Sequence, residues 1–190
     1  MLKSPLPALN DIEGNNIPGA LPFVVDAHGH IFPEGRCKAI WEWFDKYGWP
    51  IRYRLTSPDA LDYLLSRGVG HIVALQYAHK PGTARGLNSY MAEICRKFPH
   101  KVSGMATVFP GENESERVLK EAFKMGLKGV KLHAHVQCFD MNRADMDPIY
   151  DLCSSEGKPI IIHAGREPNS PAYQCDPYVL CNACLLYTSP

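Results

Sequence analysis

Five short apolar runs, separated by segments of helical periodicity, constrain this chain more than any other feature. They are Phe23 to His28, His71 to Gln76, Val102 to Val108, Lys128 to His133 and Pro159 to His163. Between them, Leu61, Leu64 and Leu65 share one face of a helix that Ser57 caps, with Pro58 at its first position. Tyr90, Ile94 and Phe98 form a second such face, Val118, Ala122 and Met125 a third, and Ile149, Leu152 and Cys153 a fourth. Gly68, Gly126 and Gly157 each stand just past a helix, where the chain favours a left-handed residue. Strands alternating with helices in this way predict parallel βαβ units.

Two architectures satisfy that pattern, an open doubly wound sheet and a closed eight-stranded barrel. No glycine-rich phosphate loop follows the first run, which argues against a dinucleotide-binding sheet. Ionisable residues instead gather at the C-terminal ends of the runs, where barrel enzymes place their chemistry. A barrel of this kind typically takes about 250 residues. The expectation is therefore an α/β fold, an incomplete (β/α)8 TIM-like barrel with about five of its eight strands.

The expected organisation has three parts. Residues 1–22, with Pro5, Pro7, Pro18 and Pro22, form an extended arm. Residues 23–180 form the barrel portion, and residues 181–190 a non-native tail. That tail ends Leu185-Leu186-Tyr187-Thr188-Ser189-Pro190, which resembles the translation of a sequencing adapter. The single Cys181-x-x-Cys184 pair within it lacks the second pair that a structural zinc site needs.

Lys plus Arg equals Asp plus Glu at 20 each, so no net charge steers the chain to nucleic acid or an anionic membrane. No apolar run approaches the ~20 residues that span a bilayer. The N-terminus lacks the pattern of a signal peptide. Seven cysteines without a regular framework fit reduced thiols and a cytoplasmic location.

The most informative motif is Asp26-Ala27-His28-Gly29-His30. Alternate residues of a strand point the same way, so Asp26, His28 and His30 share a face and the two imidazoles can bind one divalent ion. Gly29 is expected to leave room for the ligands to converge. His163 ends the fifth run where a barrel would open onto its active-site face, and it completes a three-nitrogen set with a position open to water. Such water, its pKa lowered by the metal, is the usual nucleophile. On the fourth run, Lys131, His133 and His135 alternate with apolar Val130, Leu132 and Ala134. A lysine pointing into a barrel requires a partner. It is read equally as a charge pair with Asp26 or as a carboxylated metal bridge or substrate clamp, while His133 is placed to touch substrate or metal.

Together, Asp-x-His-x-His, Gly-Val-Lys-Leu-His and Ile-Ile-His-Ala-Gly, in this order, resemble the amidohydrolase superfamily. The nearest branch is the amidohydrolase-related group that includes aminocarboxymuconate-semialdehyde decarboxylase-like proteins. The likeness runs from Phe23 to Leu180 and implies a deformed (β/α) barrel binding one or two divalent metals, most often zinc. By position it makes His28, His30 and His163 ligands, and it matches Lys131 to a residue that some branches carboxylate to bridge two metals. The family's later histidine and its catalytic aspartate have no counterpart in the sequence, so the chain by itself is expected to be inactive.

The implied reaction is hydrolysis of an amide, ester or lactone-type bond in a small molecule, with metal-dependent decarboxylation as the alternative. A metal-free barrel relative acting as a binding protein is the reading from a different class. His79, Lys80 and Arg85 after the second run, and Arg166 after the fifth, are candidates for binding an anionic substrate group. The aromatic stretch Trp41 to Pro50 exceeds an ordinary barrel connection. It is read as a packing insertion, with a lid or a homo-oligomer interface as alternatives.

Overall fold

The structure is a computed structural model and describes residues 16–163 and Cys184. The first fifteen residues of the arm, Arg166 and the proposed tail apart from Cys184 lie outside the described residues. Five strands are present: β1 Val25–His30, β2 His71–Leu75, β3 Val102–Gly104, β4 Val130–Leu132 and β5 Ile160–Ile162. Helices α1 Glu34–Tyr47 and α2 Ser57–Ser66 link β1 to β2. Helix α3 Ala84–Lys97 leads to β3 and α4 Ser115–Lys124 to β4. A short helix, α5 Ala134–Gln137, follows β4, and α6 Asp147–Ser155 leads into β5.

All strand pairs are parallel and follow sequence order. Val25 faces His71 and His30 faces Leu75; Ile72 faces Val102; Val130 faces Ile160. A bridge from Ala106 to Val130 joins the β1–β2–β3 sheet to the β4–β5 sheet. Strands running in sequence order without a reversal form the wall of a barrel, whereas a doubly wound sheet reverses its order at a switch point. The fold is thus an incomplete (β/α) barrel. β3 and β4 are shorter than their apolar runs suggest; past β3 the pairing continues only as the Met105 to Ala74 hydrogen bond and the Ala106–Val130 bridge, and past β4 the chain enters α5.

The core lies between the strands and the helical layer. Ile72, Ala74, Val130 and Leu132 pack with Leu61, Met91, Ile94, Leu119, Ile149 and Cys153, all buried. The helix faces read from spacing are largely the buried ones, but α4 buries Val118, Leu119 and Ala122 and leaves Met125 exposed just beyond its last turn. Gly68, Gly126 and Gly157 have φ of 101°, 97° and 58°, the left-handed backbone that stops α2, α4 and α6. Ser57 is the first residue of α2 and Thr56 its N-cap. The Ser57 hydroxyl donates to the carbonyl of Phe32 and accepts from its N–H, tying α2 to the end of β1.

The aromatic stretch is largely the second half of α1. Ile40 and Trp41 pack beneath it, but Trp43, Tyr47 and Trp49 are exposed and stack among themselves and Phe44. Packing therefore accounts for only part of it. The five described cysteines, Cys37, Cys95, Cys138, Cys153 and Cys184, are free thiols. Among the described residues, no helix is long and apolar enough to cross a membrane.

Candidate metal centre

The ends of β1, β2, β4 and β5 bring histidines and one lysine together. His28 and His30 leave the same face of β1, and their Nε2 atoms stand 3.1 Å apart. With metal–nitrogen bonds of about 2.0–2.1 Å, two ligands of one ion stand roughly 2.9–3.4 Å apart, so this pair fits a shared divalent ion. The Asp26 carboxylate accepts the main-chain N–H of His28 at 2.9 Å, which fixes the backbone leading into the ligand pair. Gly29 faces the opposite way. A Cβ there would meet Ile72 Cγ2 at 3.1 Å, so its smallness admits a core side chain rather than the metal.

Both imidazoles are set in the ligand form. Burial, then the charges of Lys131, His28 and His163, lower His30 to about 4. His28 is lowered by burial and Lys131, against the opposing pull of Asp26. Both lone pairs are then available at neutral pH, as metal binding requires.

Lys131 is fully buried and its Nζ has no hydrogen-bond partner among the described residues. The charge pair with Asp26 does not form, since that carboxylate is turned onto its own strand. Burial draws the Lys131 amine down to about 8. His133 follows β4 as the N-cap of α5, so His135 lies on a helix and not on the strand. The ring of His133 is stacked on His163, with centroids 4.0 Å apart. Among the described residues, no three His, Cys, Asp or Glu groups converge into one ligand set. His163 stands over His133 rather than closing on the β1 pair.

Two residues not anticipated from the sequence complete the arrangement. Tyr77, just past β2, sets its ring edge-on to His30 at 5.7 Å and to His133 at 4.9 Å, linking the two halves. Gln137 is buried. Its carboxamide donates to the carbonyls of Ala78 and Val108, both at 2.8 Å, and accepts from the N–H of His133 at 2.7 Å. The only sequence signal for either was position just beyond a strand.

Of the anion-binding candidates, His79 lies beside this group and bonds Arg36, while Lys80 is exposed in the same loop. Arg85 does not join them. It is held in exposed ion pairs with Glu114 at 3.1 Å and Glu121 at 2.9 Å, between α3 and α4.

The amidohydrolase family model matches residues 25–182. The chain belongs to the amidohydrolase family. A search of curated proteins finds no match. Solved structures share this amidohydrolase's fold. One is a protein assigned as a 2-pyrone-4,6-dicarboxylic acid hydrolase from Pseudomonas putida, 22% identical, with a TM-score of 0.57 over 87% of this chain and 54% of that one. Another is 5-carboxyvanillate decarboxylase from Novosphingobium aromaticivorans with bound manganese, 19% identical, with a TM-score of 0.61 over 90% of this chain and 58% of that one. A third is the 5-carboxyvanillate decarboxylase of Sphingomonas paucimobilis, 15% identical, with a TM-score of 0.57 over 75% and 52% of the two chains. This amidohydrolase chain thus spans about half the length of the solved structures it matches.

Proposed function

We propose that this chain is the metal-binding portion of a metal-dependent hydrolase that cleaves an amide, ester or lactone-type bond of a small molecule. The observation that carries the reading is the 3.1 Å approach of His28 Nε2 and His30 Nε2 at the C-terminal end of β1. His163, stacked on His133, would have to turn toward the β1 pair to supply a third nitrogen. A divalent ion in such a site supplies Lewis acidity and lowers the pKa of water. Zinc is our choice, because an imidazole set suits it.

The chain's own residues have separable tasks. Asp26 holds the β1 backbone just ahead of the two imidazoles. His133 accepts from the N–H of Val136 at Nδ1, which puts its proton on Nε2. It is therefore a hydrogen-bond donor, suited to a carbonyl oxygen that gains negative charge. Tyr77 walls the space between the two histidine pairs. Lys131, drawn toward neutrality, serves as a substrate clamp or, carboxylated, as a bridge between two ions.

Metal-dependent decarboxylation is the second reading, supported by the names of the Novosphingobium and Sphingomonas proteins. For either reaction, turnover is assigned to the whole protein.

Metal uptake by the purified chain is the test. About one equivalent of zinc or manganese, lost in the His28→Ala/His30→Ala variant, supports the reading. A folded chain that takes up neither ion would sink it and leave a binding module. With metal bound, lactone or ester hydrolysis by the whole protein separates the first reaction from carbon dioxide release by the second.

A further inference from the structure

The N-terminal ends of the strands hold a second group, away from the histidine centre. His71 opens β2, while His30 of that centre pairs with Leu75 at the strand's other end. Val73 faces Ser103 in the parallel ladder, so His71, two residues earlier, shares the face of Ser103. Their neighbours Ile72 and Val102 take the opposite face and are buried under the helices. The Ser103 hydroxyl and His71 Nε2 are 2.9 Å apart, and both residues are half-buried. The other ring nitrogen, Nδ1, stands 3.2 Å from the carbonyl of His100.

These contacts fix the proton positions. A carbonyl oxygen only accepts, so Nδ1 of the neutral ring carries the proton and Nε2 keeps its lone pair. Ser103 then donates to Nε2. A hydroxyl donating to an imidazole whose far nitrogen is held by an acceptor is the arrangement that makes a serine nucleophilic. His100 has φ of 63°, left-handed backbone uncommon outside glycine, in the turn that presents this carbonyl. Exposed apolar side chains flank the pair. Val25 faces His71 across the β1–β2 ladder, and Phe23 lies against Gly70, where an added Cβ would come 2.5 Å from its ring.

We propose that Ser103, His71 and the His100 carbonyl form a second nucleophilic site, which takes the acyl group of an activated aryl ester. The site goes beyond the hydrolase reading and needs no metal. Ser103 Oγ bonds the acyl carbon as its proton passes to His71 Nε2. The ester C–O bond then breaks, and the phenol leaves with that proton. Water reverses the step: its oxygen bonds the acyl carbon, Ser103 recovers a proton through Nε2, and a carboxylic acid is released. Val25 and Phe23 offer the aryl group an apolar surface.

The experiment treats the purified, metal-free chain with 4-nitrophenyl acetate and, in parallel, with a fluorophosphonate whose serine adduct does not turn over. Nitrophenol release is followed with time, and the adducts are mapped by peptide mass spectrometry. Both reagents are expected to modify Ser103, at about one equivalent for the fluorophosphonate. Ser103→Ala should lose the adduct, and His71→Gln should react about a hundredfold more slowly. Thermal melts matching the wild type show both variants folded, and mapping on the wild-type chain decides the matter without any variant. His28→Ala/His30→Ala should react at the wild-type rate, which separates this site from the metal centre. Adducts on lysine or cysteine with Ser103 unmodified, an unchanged reaction in Ser103→Ala, or a wild-type rate in folded His71→Gln would each overturn the proposal.

Discussion

The rings of His133 and His163 lie nearly parallel, 12° apart in plane and 4.0 Å between centroids. A stack this close tolerates one charge poorly and two worse. Burial, then the charges of His163, Lys131, His30 and His135, lower His133 to about 3 from an ordinary 6.5. Between those values the unfolded chain binds a proton that the folded chain does not, so folding stability is lost as pH falls. We expect the unfolding free energy of the metal-free chain to drop from about pH 6.5 downward, by at most about 1.4 kcal/mol per pH unit from this residue. Urea titrations across that window check it, and a His133→Gln variant should show a shallower slope.

Lys131 is a second cationic group lowered by the same burial, with its window on the alkaline side. Its amine is lowered to about 8 from 10.5, so the folded protein gains stability as pH rises between those values. Lys131→Met keeps the apolar stem and removes the unpaired Nζ. It should stabilise the metal-free chain by about 2 kcal/mol at neutral pH and abolish the alkaline gain. Thermal melts at two pH values test both effects, and a destabilised variant would show that the ammonium is held by something the described residues do not supply.

Gln137 anchors three strand ends with one side chain. Gln137→Leu leaves two buried carbonyls and the His133 N–H without their partner. We expect a loss of about 3 kcal/mol by denaturant unfolding. Gln137→Glu should recover little, because a carboxylate repels the Ala78 and Val108 carbonyls.

Two strand-end glycines should respond differently to an added methyl group. At Gly104 a Cβ meets the side chains of Met91 and Cys95 at 2.6 and 2.7 Å, and Met91 can move. At Gly129 it meets the main-chain oxygen of Pro159 at 2.4 Å, which cannot move without parting β4 from β5. Gly104→Ala should cost about 1 kcal/mol and Gly129→Ala roughly 3 kcal/mol. Comparable melting temperatures for the two variants would refute this ranking.

Much of this was legible in the sequence because it depends on local spacing. His28 and His30 share a face as the spacing of two implies, although a register shift between Asp26 and Gly29 breaks the alternation that would have added Asp26, and the glycines after α2, α4 and α6 stop their helices. What was hidden depends on tertiary contact. Helix α1 escaped because Trp43 and Tyr47 are apolar yet exposed, which blurs its periodicity. His135 looked like a strand residue because only the Gln137 hydrogen bonds reveal where β4 turns into a helix. Arg36 and His79 lie 43 residues apart, and no local pattern joins them.

The bridge from Ala106 to Val130 has a mechanical consequence. One block, built on β1 and β2, carries His28, His30 and Tyr77; the other, built on β4 and β5, carries Lys131, His133 and His163. The aperture between the two histidine pairs is set at that seam, spanned by hydrogen bonds from Ala106 to Gly129 and from Lys131 to Ala106. Gln137, bonded to Ala78, Val108 and His133, braces the same seam from the site side, so the spacing of the two pairs is held at both its strand and its loop end.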